Sequence, residues 1–465
     1  MSATTALHAL TASELLARYG RGEISPVEVL RDVIAQVEAR EPQLHALYAF
    51  DPEAALAAAR ASQARWRAGR PLALDGVPAT IKENIATRGV PMPLGSAATE
   101  LVPAVADAPP AARLREAGAV IIAKTTMPDC GMLSSGLSSF HALARNPWDP
   151  TKNPGGSSAG AGAAAAAGYG PLHLGTDIGG SIRLPAGWCG VFGLKPSLGR
   201  VPIQPPYAGR VAGPMTRTVE DAALMMAVLA QPDWRDTMSL PVQAIDWAAL
   251  DIDVKGLKIG LMMDAGWGLD VDAEVAGAVT AAARRFEEAG AIVEALAPIS
   301  TREMADGMDR FWRMRFWLDL SALPEERQHK VLPYLRAWVA SGARLSAAQV
   351  FHGYSQMGAL RDAAVTACQP FDFVLSPVSP VPSFAAEWAS PLDDPERPFE
   401  HIAFTLPFNM SEQPAASIDC GHTAAGLPIG LQIIGHRHDD LGVLRLARAW
   451  ERLRPPPRPW PMDTA

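Results

Sequence analysis

The stretch Leu174 to Gly187 reads LGTDIGGSIRLPAG, which places Ser181 directly after Gly179 and Gly180, between an acid, Asp177, and a base, Arg183. Paired glycines permit backbone angles that side chains resist. They also leave successive N–H groups uncovered, and such groups can converge on one anion. A hydroxyl at the end of such a run suits acyl transfer. Its oxygen attacks a carbonyl, and the N–H groups receive the developing oxyanion. The competing reading is an ordinary Gly-Gly-Ser turn. A serine at its own pKa is a weak nucleophile and needs a proton acceptor. Histidine is the usual acceptor. The chain has ten, none in a recognisable motif near this centre. His173 reads as pointing from a strand. His436 and His438 form a lone H-x-H in a C-terminal loop, and no H-E-x-x-H occurs, so no metal site is expected. These residues alone leave the base open.

Other templates compete nearby. The run GSSAG, Gly156 to Gly160, matches a G-x-S-x-G nucleophile elbow with Ser158 in the serine slot. That motif needs a buried strand just before it, and ARNPWDPTKNPG cannot supply one. GAGAAA from Gly160 is a loose dinucleotide fingerprint that fails the same test, and no Walker lysine follows. The remaining reading is a helix of small residues, Ser158 to Gly168, packed tightly under a sheet.

The elements that must carry these residues read as α/β. Ser25, Pro26 and Glu28 form a capping-box start, followed by Val27, Leu30, Val33, Ile34 and Val37 at helical spacing. Asp51-Pro52-Glu53 starts a second, alanine-rich helix. GVPATIKENI is a strand running into a loop. PPAARLREAGAVIIAK is a helix, a glycine stop and a strand, a rhythm repeated in DAEVAGAVTAAARRFEEAGAIVEAL. FDFVLSPV, PAASIDC and PIGLQIIG read as buried strands. This order predicts a mixed β-sheet core covered by helices on both faces. Residues 236–256 read as a long surface connection, 302–368 as an insertion or lid of three helical segments, and the proline-rich tail from Arg452 as an extended strap. The expected organisation is N-terminal helices (1–70) packed on one large core (71–465).

At 465 residues and 48% hydrophobic content the chain can bury a large core. A net charge of −8 without a long basic run argues against a nucleic-acid partner. Apolar runs are too short for a membrane span, and the N-terminus lacks the features of a signal peptide. Cys130, Cys189, Cys368 and Cys420 are scattered without C-x-x-C spacing, as free thiols in a cytoplasmic protein would be.

One long run carries a resemblance. GAVIIAKTTMPD, continuing through ARNPWDPTKNPGGSSAGAGAAAAAGYGPLHLGTDIGGSIRLPAGWCGVFGLKPSLGRVP, is similar to the signature of the amidase signature family. The likeness extends upstream to DGVPATIKENI and downstream to GLPIGLQIIG, nearly the whole chain. The resemblance implies a Ser–Ser–Lys triad: Lys82 as general base, Ser157 as bridging serine and Ser181 as nucleophile. The 24 residues from Ser157 to Ser181 match the family's separation, which selects Ser157 over Ser158. It also implies a cis peptide before Ser157 and an oxyanion hole from the N–H groups of Ile178, Gly179, Gly180 and Ser181. Ser158, Asp177 and Arg183 are supporting residues, the last two as braces for the loop, with a substrate carboxylate as an alternative role for Arg183. Burial would lower the Lys82 pKa far enough for it to accept a proton. No cofactor is implied. Departures are small: Ala159 stands where glycine is common, and Asp129-Cys130 where Glu-Phe is common. The latter adjoins Cys130 to Ser135, which resembles a wall of the substrate pocket. Cys130 reads as a packed small hydrophobe, with a reactive thiol as the alternative.

The substrate is less legible. Trp312, Met314, Phe316 and Trp317 in the insertion would suit an aryl or medium apolar acyl group, or only pack the helices together. The readings in order are a stand-alone amidase acting on a small amide, with a homodimer left open; the glutaminase subunit of a tRNA-dependent amidotransferase; and a non-hydrolytic binding protein on the same fold.

Overall fold

The computed structural model describes residues 6–461. Eleven strands form one mixed sheet: β1 (Leu47–Tyr48), β2 (Pro78–Lys82), β3 (Val120–Thr125), β4 (Leu172–Asp177), β5 (Phe192–Lys195), β6 (Val211–Thr216), β7 (Lys258–Leu261), β8 (Ile292–Ala295), β9 (Phe373–Pro377), β10 (Ala415–His422) and β11 (Pro428–Ile434). Their order is β1-β3-β2-β4-β6-β5-β10-β11-β9-β7-β8. β2 runs parallel to β3 and β4, and β7 to β8 and β9, while the other pairs are antiparallel.

Successive side chains on a strand point to opposite faces. Every residue of β6 is buried, with Ala212 in the largest core cluster and Met215 in a separate one. The sheet is therefore covered by helices on both faces, as the alternation of helical and strand patterns predicts. The capping box at Ser25 is formed in both directions, and Val29, Leu30, Val33 and Val37 are buried on the helix Pro26–Leu44. The next helix, Pro52–Arg67, is capped by the Asp51 side chain, which accepts from the Ala54 N–H at 3.0 Å. Both helices bury their apolar faces in the cluster that holds Ile81 and Leu174, so they back the strands that carry the site.

Between Leu229 and Lys258 there is no helix or strand. Residues 302–368 hold four α-helices, Arg302–Ser321, Glu325–Gln328, Pro333–Val339 and Ala347–Cys368, with a 3-10 turn at Gly342–Arg344. Three were expected. The difference arises at Pro324 and Pro333, where the chain restarts a helix that proline cannot continue. The insertion shares a hydrophobic cluster, including Trp312, Phe316 and Trp338, with Leu184 and Trp188 from the helix Arg183–Cys189. That contact seats it over the Ser181 loop. The tail runs without helix or strand from residue 454 to 460, and its last four residues lie outside the described ones. No helix of the described residues is long and apolar enough to cross a membrane.

Candidate active site

Lys82 is the last residue of β2 and Asp177 the last of β4, and these neighbouring strands run parallel. The two side chains thus share the carboxyl edge of the sheet, where open α/β sheets gather their chemistry. Lys82 is fully buried. Its Nζ lies 2.8 Å from Ser157 Oγ and 3.0 Å from Ser158 Oγ. Both serines lead into the helix Ala159–Ala166, every residue of which is buried. The close docking explains its composition. A Cβ on Gly160 would stand 2.1 Å from the Ala46 carbonyl oxygen. The peptide between Gly156 and Ser157 is cis.

Ser158 differs from Ser157 in its partners. Its hydroxyl donates to the Thr176 carbonyl at 3.1 Å and accepts from the Thr176 N–H at 3.3 Å. Its own N–H donates to the Ser181 carbonyl at 3.2 Å. Ser158 therefore ties the helix start to β4 and to the Ser181 loop.

Burial pushes the Lys82 pKa down to about 7; Asp177 and Glu83 oppose that shift and Arg210 adds to it. Among the described residues no carboxylate holds the ammonium by direct contact. Glu83 instead accepts from the Gly95 N–H and pairs with His141. His173 lies 2.8 Å from Thr80 Oγ1 and 3.0 Å from the Gly170 carbonyl, and burial lowers its pKa to about 3. It belongs to the packing of β2 on β4. Among the described residues no group of three or more His, Cys, Asp or Glu could hold a metal, His436 and His438 included.

The Ser181 loop is braced by Asp177. Its Oδ1 accepts from the Gly180 N–H at 2.8 Å and its Oδ2 from the Ile182 N–H at 3.1 Å. This corrects the expectation for Gly180, whose N–H is spent on the brace and is not available to an oxyanion. The N–H groups of Ile178, Gly179 and Ser181 have no acceptor among the described residues. Gly180 still has to be glycine. Its φ is +125°, and a Cβ would meet Thr405 Oγ1 at 2.6 Å. The Thr405 hydroxyl donates to the Gly179 carbonyl at 2.6 Å and fixes the loop from the other side.

Arg183 spends all five of its donors. Nε and Nη2 reach Asp177 at 3.0 and 2.9 Å, Nη1 reaches the Thr405 carbonyl at 2.9 Å and Gln432 Oε1 at 2.6 Å, and Nη2 also reaches Asn409. None remains for a substrate carboxylate, so the alternative role for Arg183 has no support. Burial works against the Asp177 charge, but Arg183, with help from Asn409 and Lys195, holds its carboxyl well below the usual range. Thr405, Asn409 and Gln432 escaped the sequence reading because they lie more than 200 residues beyond the loop. The one local signal is Gln432, a lone amide inside the apolar strand β11.

The Ser181 hydroxyl has no hydrogen-bond partner among the described residues. It faces a small cavity of about 40 Å³, walled by residues 131–134 on one side and by Trp312, Arg315, Phe399 and Ile402 on another. Trp312 of the insertion therefore lines the site, whereas Phe316 borders a second cavity of about 630 Å³ and Trp317 packs into the insertion's core. Cys130 lines that second cavity. Burial, reinforced by Asp129, pushes its thiol up to about 12, which leaves no reactive thiolate at neutral pH.

The amidase family profile matches residues 28–444. A subunit of the glutamyl-tRNA(Gln) amidotransferase from Myxococcus xanthus is 37% identical, over 95% of this chain and 97% of its own. An acylamidase from Rhodococcus erythropolis is 34% identical, over 97% of this chain and 96% of its own. Among solved structures, a bacterial aryl acylamidase of the amidase signature family superposes with a TM-score of 0.90 at 30% identity, covering 99% of both chains. The agreement of profile, full-length relatives and fold places this chain in the amidase signature family of hydrolases.

Proposed function

We propose that this protein is a stand-alone amidase that hydrolyses a carboxamide to a carboxylate and ammonia through an acyl-enzyme on Ser181. One observation carries the reading: a fully buried lysine, with no carboxylate within ion-pair distance among the described residues, lies 2.8 Å from Ser157 Oγ beside the Ser181 loop, and burial outweighs the fields of Asp177 and Glu83. Neutral Lys82 takes the Ser157 proton, Ser157 takes that of Ser181, and the Ser181 oxygen attacks the amide carbon. The N–H groups of Ile178, Gly179 and Ser181 stabilise the oxyanion. The proton returns through Ser157 to the departing nitrogen, and ammonia leaves. Water then adds to the acyl carbon by the same relay and releases the acid. Ser157 and Ser181 share no side-chain hydrogen bond in this structure; such bonds often tighten only when substrate is bound. Asp177 and Arg183 take no proton. They hold the loop in shape. The four free thiols fit a reducing, cytoplasmic setting.

A second reading, the glutaminase subunit of a tRNA-dependent amidotransferase, is favoured by the Myxococcus relative at 37% identity. The apolar wall formed by Trp312, Phe399 and Ile402 supports the stand-alone reading. The test is ammonia release by the purified chain from aryl amides, aliphatic amides and glutamine, with fluorophosphonate labelling mapped by peptide analysis. Turnover of aryl or aliphatic amides with the label on Ser181 is expected. Release from glutamine alone would favour the second reading, and a label on Ser157 or Ser158 would overturn the assignment of the nucleophile.

A further inference from the structure

Two arginines, one bordering the Ser181 cavity and both bordering the larger one beside it, lack, among the described residues, the carboxylate partners that neighbouring arginines have. Arg315, on the helix Arg302–Ser321, borders both the Ser181 cavity and the larger one of about 630 Å³. Arg210, just before β6, borders the larger one. Neither lies within ion-pair distance of a carboxylate among the described residues. By contrast, Arg302 and Arg313 on the same helix are paired with Glu400 and Asp309. Arg210 donates only to the Pro205 carbonyl. Arg315 makes no hydrogen bond among the described residues and lies with its guanidinium 4.4 Å from the centre of the Tyr207 ring. Stacking occupies the face of the guanidinium and leaves the N–H groups on its rim free for a planar, bidentate acceptor.

These two cations face each other's fields. Burial, then Arg315, lowers the pKa of Arg210. A bound anion would relieve that repulsion. The lining of the Ser181 cavity contains no Asp or Glu, so nothing there would pair an ammonium group. In the larger cavity, Asp319 sits one turn beyond Arg315 outside ion-pair distance, and Glu100 is 3.6 Å from Arg327. Apart from Ser134, Ser181 and Arg315, the side chains lining the Ser181 cavity are apolar, Met132, Leu133 and Trp312 among them.

We infer that the site selects amides bearing a carboxylate at the far end of an apolar chain, the carboxylate held by Arg315 with Arg210 as a second cation. This inference rests on the amidase reading and specifies its substrate class: half-amides of dicarboxylic acids, rather than amino-acid amides, whose ammonium group would meet two arginines. Arg315 is thus a specificity-determining residue, in the role that Arg183 is too committed to fill.

The probes are adipic acid monoamide and its neutral counterpart hexanamide. The expected ratio of kcat/KM favours the monoamide by about 10- to 100-fold, the worth of a charge-assisted bidentate contact. In Arg315→Gln the ratio falls to near one, through KM for the anion. Raised ionic strength weakens the preference in the wild-type chain. A readout that needs no turnover accompanies it: adipate slows fluorophosphonate labelling of Ser181 in the wild-type chain and not in Arg315→Gln. Equal kcat/KM for the two amides, or a preference that survives Arg315→Gln, overturns the subsite and leaves the amidase reading standing. Adipate protection lost in Arg315→Gln supports the subsite even where no amide, aryl or aliphatic, is hydrolysed, the outcome that overturns the amidase reading.

Discussion

The Lys82 ammonium makes the fold pH-sensitive in a direction that can be worked out and measured. Burial lowers its pKa from 10.5 in the unfolded chain to about 7 in the folded one. That gap of roughly three to four units is worth about 5 kcal/mol at about 1.4 kcal/mol per unit. Below about pH 7 lysine is charged in both states, and the folded protein bears the whole cost of a buried cation. Above about pH 7 the folded lysine is neutral while the unfolded one still binds a proton, so stability rises with pH until the unfolded lysine titrates. Replacing Lys82 by Met removes this contribution. From about pH 7 to about pH 9 the wild-type chain should gain about 2 kcal/mol relative to Lys82→Met. Lys195 and Lys124, which burial lowers to about 7 and about 8, contribute similar slopes to both proteins and cancel in the difference. At about pH 6 the variant should be the more stable, less about 1–3 kcal/mol for leaving the Ser157 hydroxyl without its partner. Urea unfolding of the two proteins at several pH values measures the difference. The acid limb of kcat/KM for the wild-type chain should fall at the same pH, because the same proton is lost. Stability curves that run parallel to about pH 9 would refute the reasoning. Lys82 would then carry its charge at neutral pH and could not accept a proton there.

Ser157→Ala should lower kcat by about 10³-fold or more with little change in KM, since it breaks the relay; Ser158→Ala should cost stability, about 1–2 kcal/mol by urea unfolding, with a smaller loss of kcat. A larger kcat loss for Ser158→Ala would exchange their roles. Arg183→Met leaves the Asp177 carboxylate buried and unpaired, and should destabilise the fold by about 3–5 kcal/mol in the same assay; a loss under about 1 kcal/mol would contradict the brace. Cys130 should alkylate slowly with iodoacetamide at neutral pH, and Cys130→Ala should keep its turnover within about twofold. Rapid alkylation accompanied by inactivation would show a thiolate that the geometry does not support.

The local elements were legible because short-range rules decide them. The Ser25 capping box, the Asp51 cap and the β9, β10 and β11 runs all follow from a few adjacent residues. The serine loop was legible for the same reason, as two glycines and a serine announce an unusual backbone. The base was not. Lys82 lies 75 residues before Ser157, and nothing in TIKENI shows that β2 will end beside β4. Only the family resemblance named it. Gly180 shows a different limit. The composition of the nest was plain, but which of its N–H groups stays free depends on where Asp177 turns, and a side-chain rotamer leaves no trace in sequence. Arg315 was hidden by its neighbours, because on an amphipathic helix a cation on the half-buried side looks like any solvated one.

The brace around Arg183 also has a kinetic consequence. Its hydrogen bonds join the end of β4, the segment around Thr405 and Asn409, and β11, so the Ser181 loop cannot open unless three distant stretches of chain release it together. Local openings exchange amide hydrogens at free energies set by how few contacts must break. The Gly180 and Ile182 amides, bonded to Asp177, should therefore exchange with deuterium only in openings close to global unfolding, although they sit in a loop. The loop should then exchange like a core strand, which leaves any opening of the cavity to its other walls, residues 131–134, the helix Arg302–Ser321 and the segment with Phe399 and Ile402.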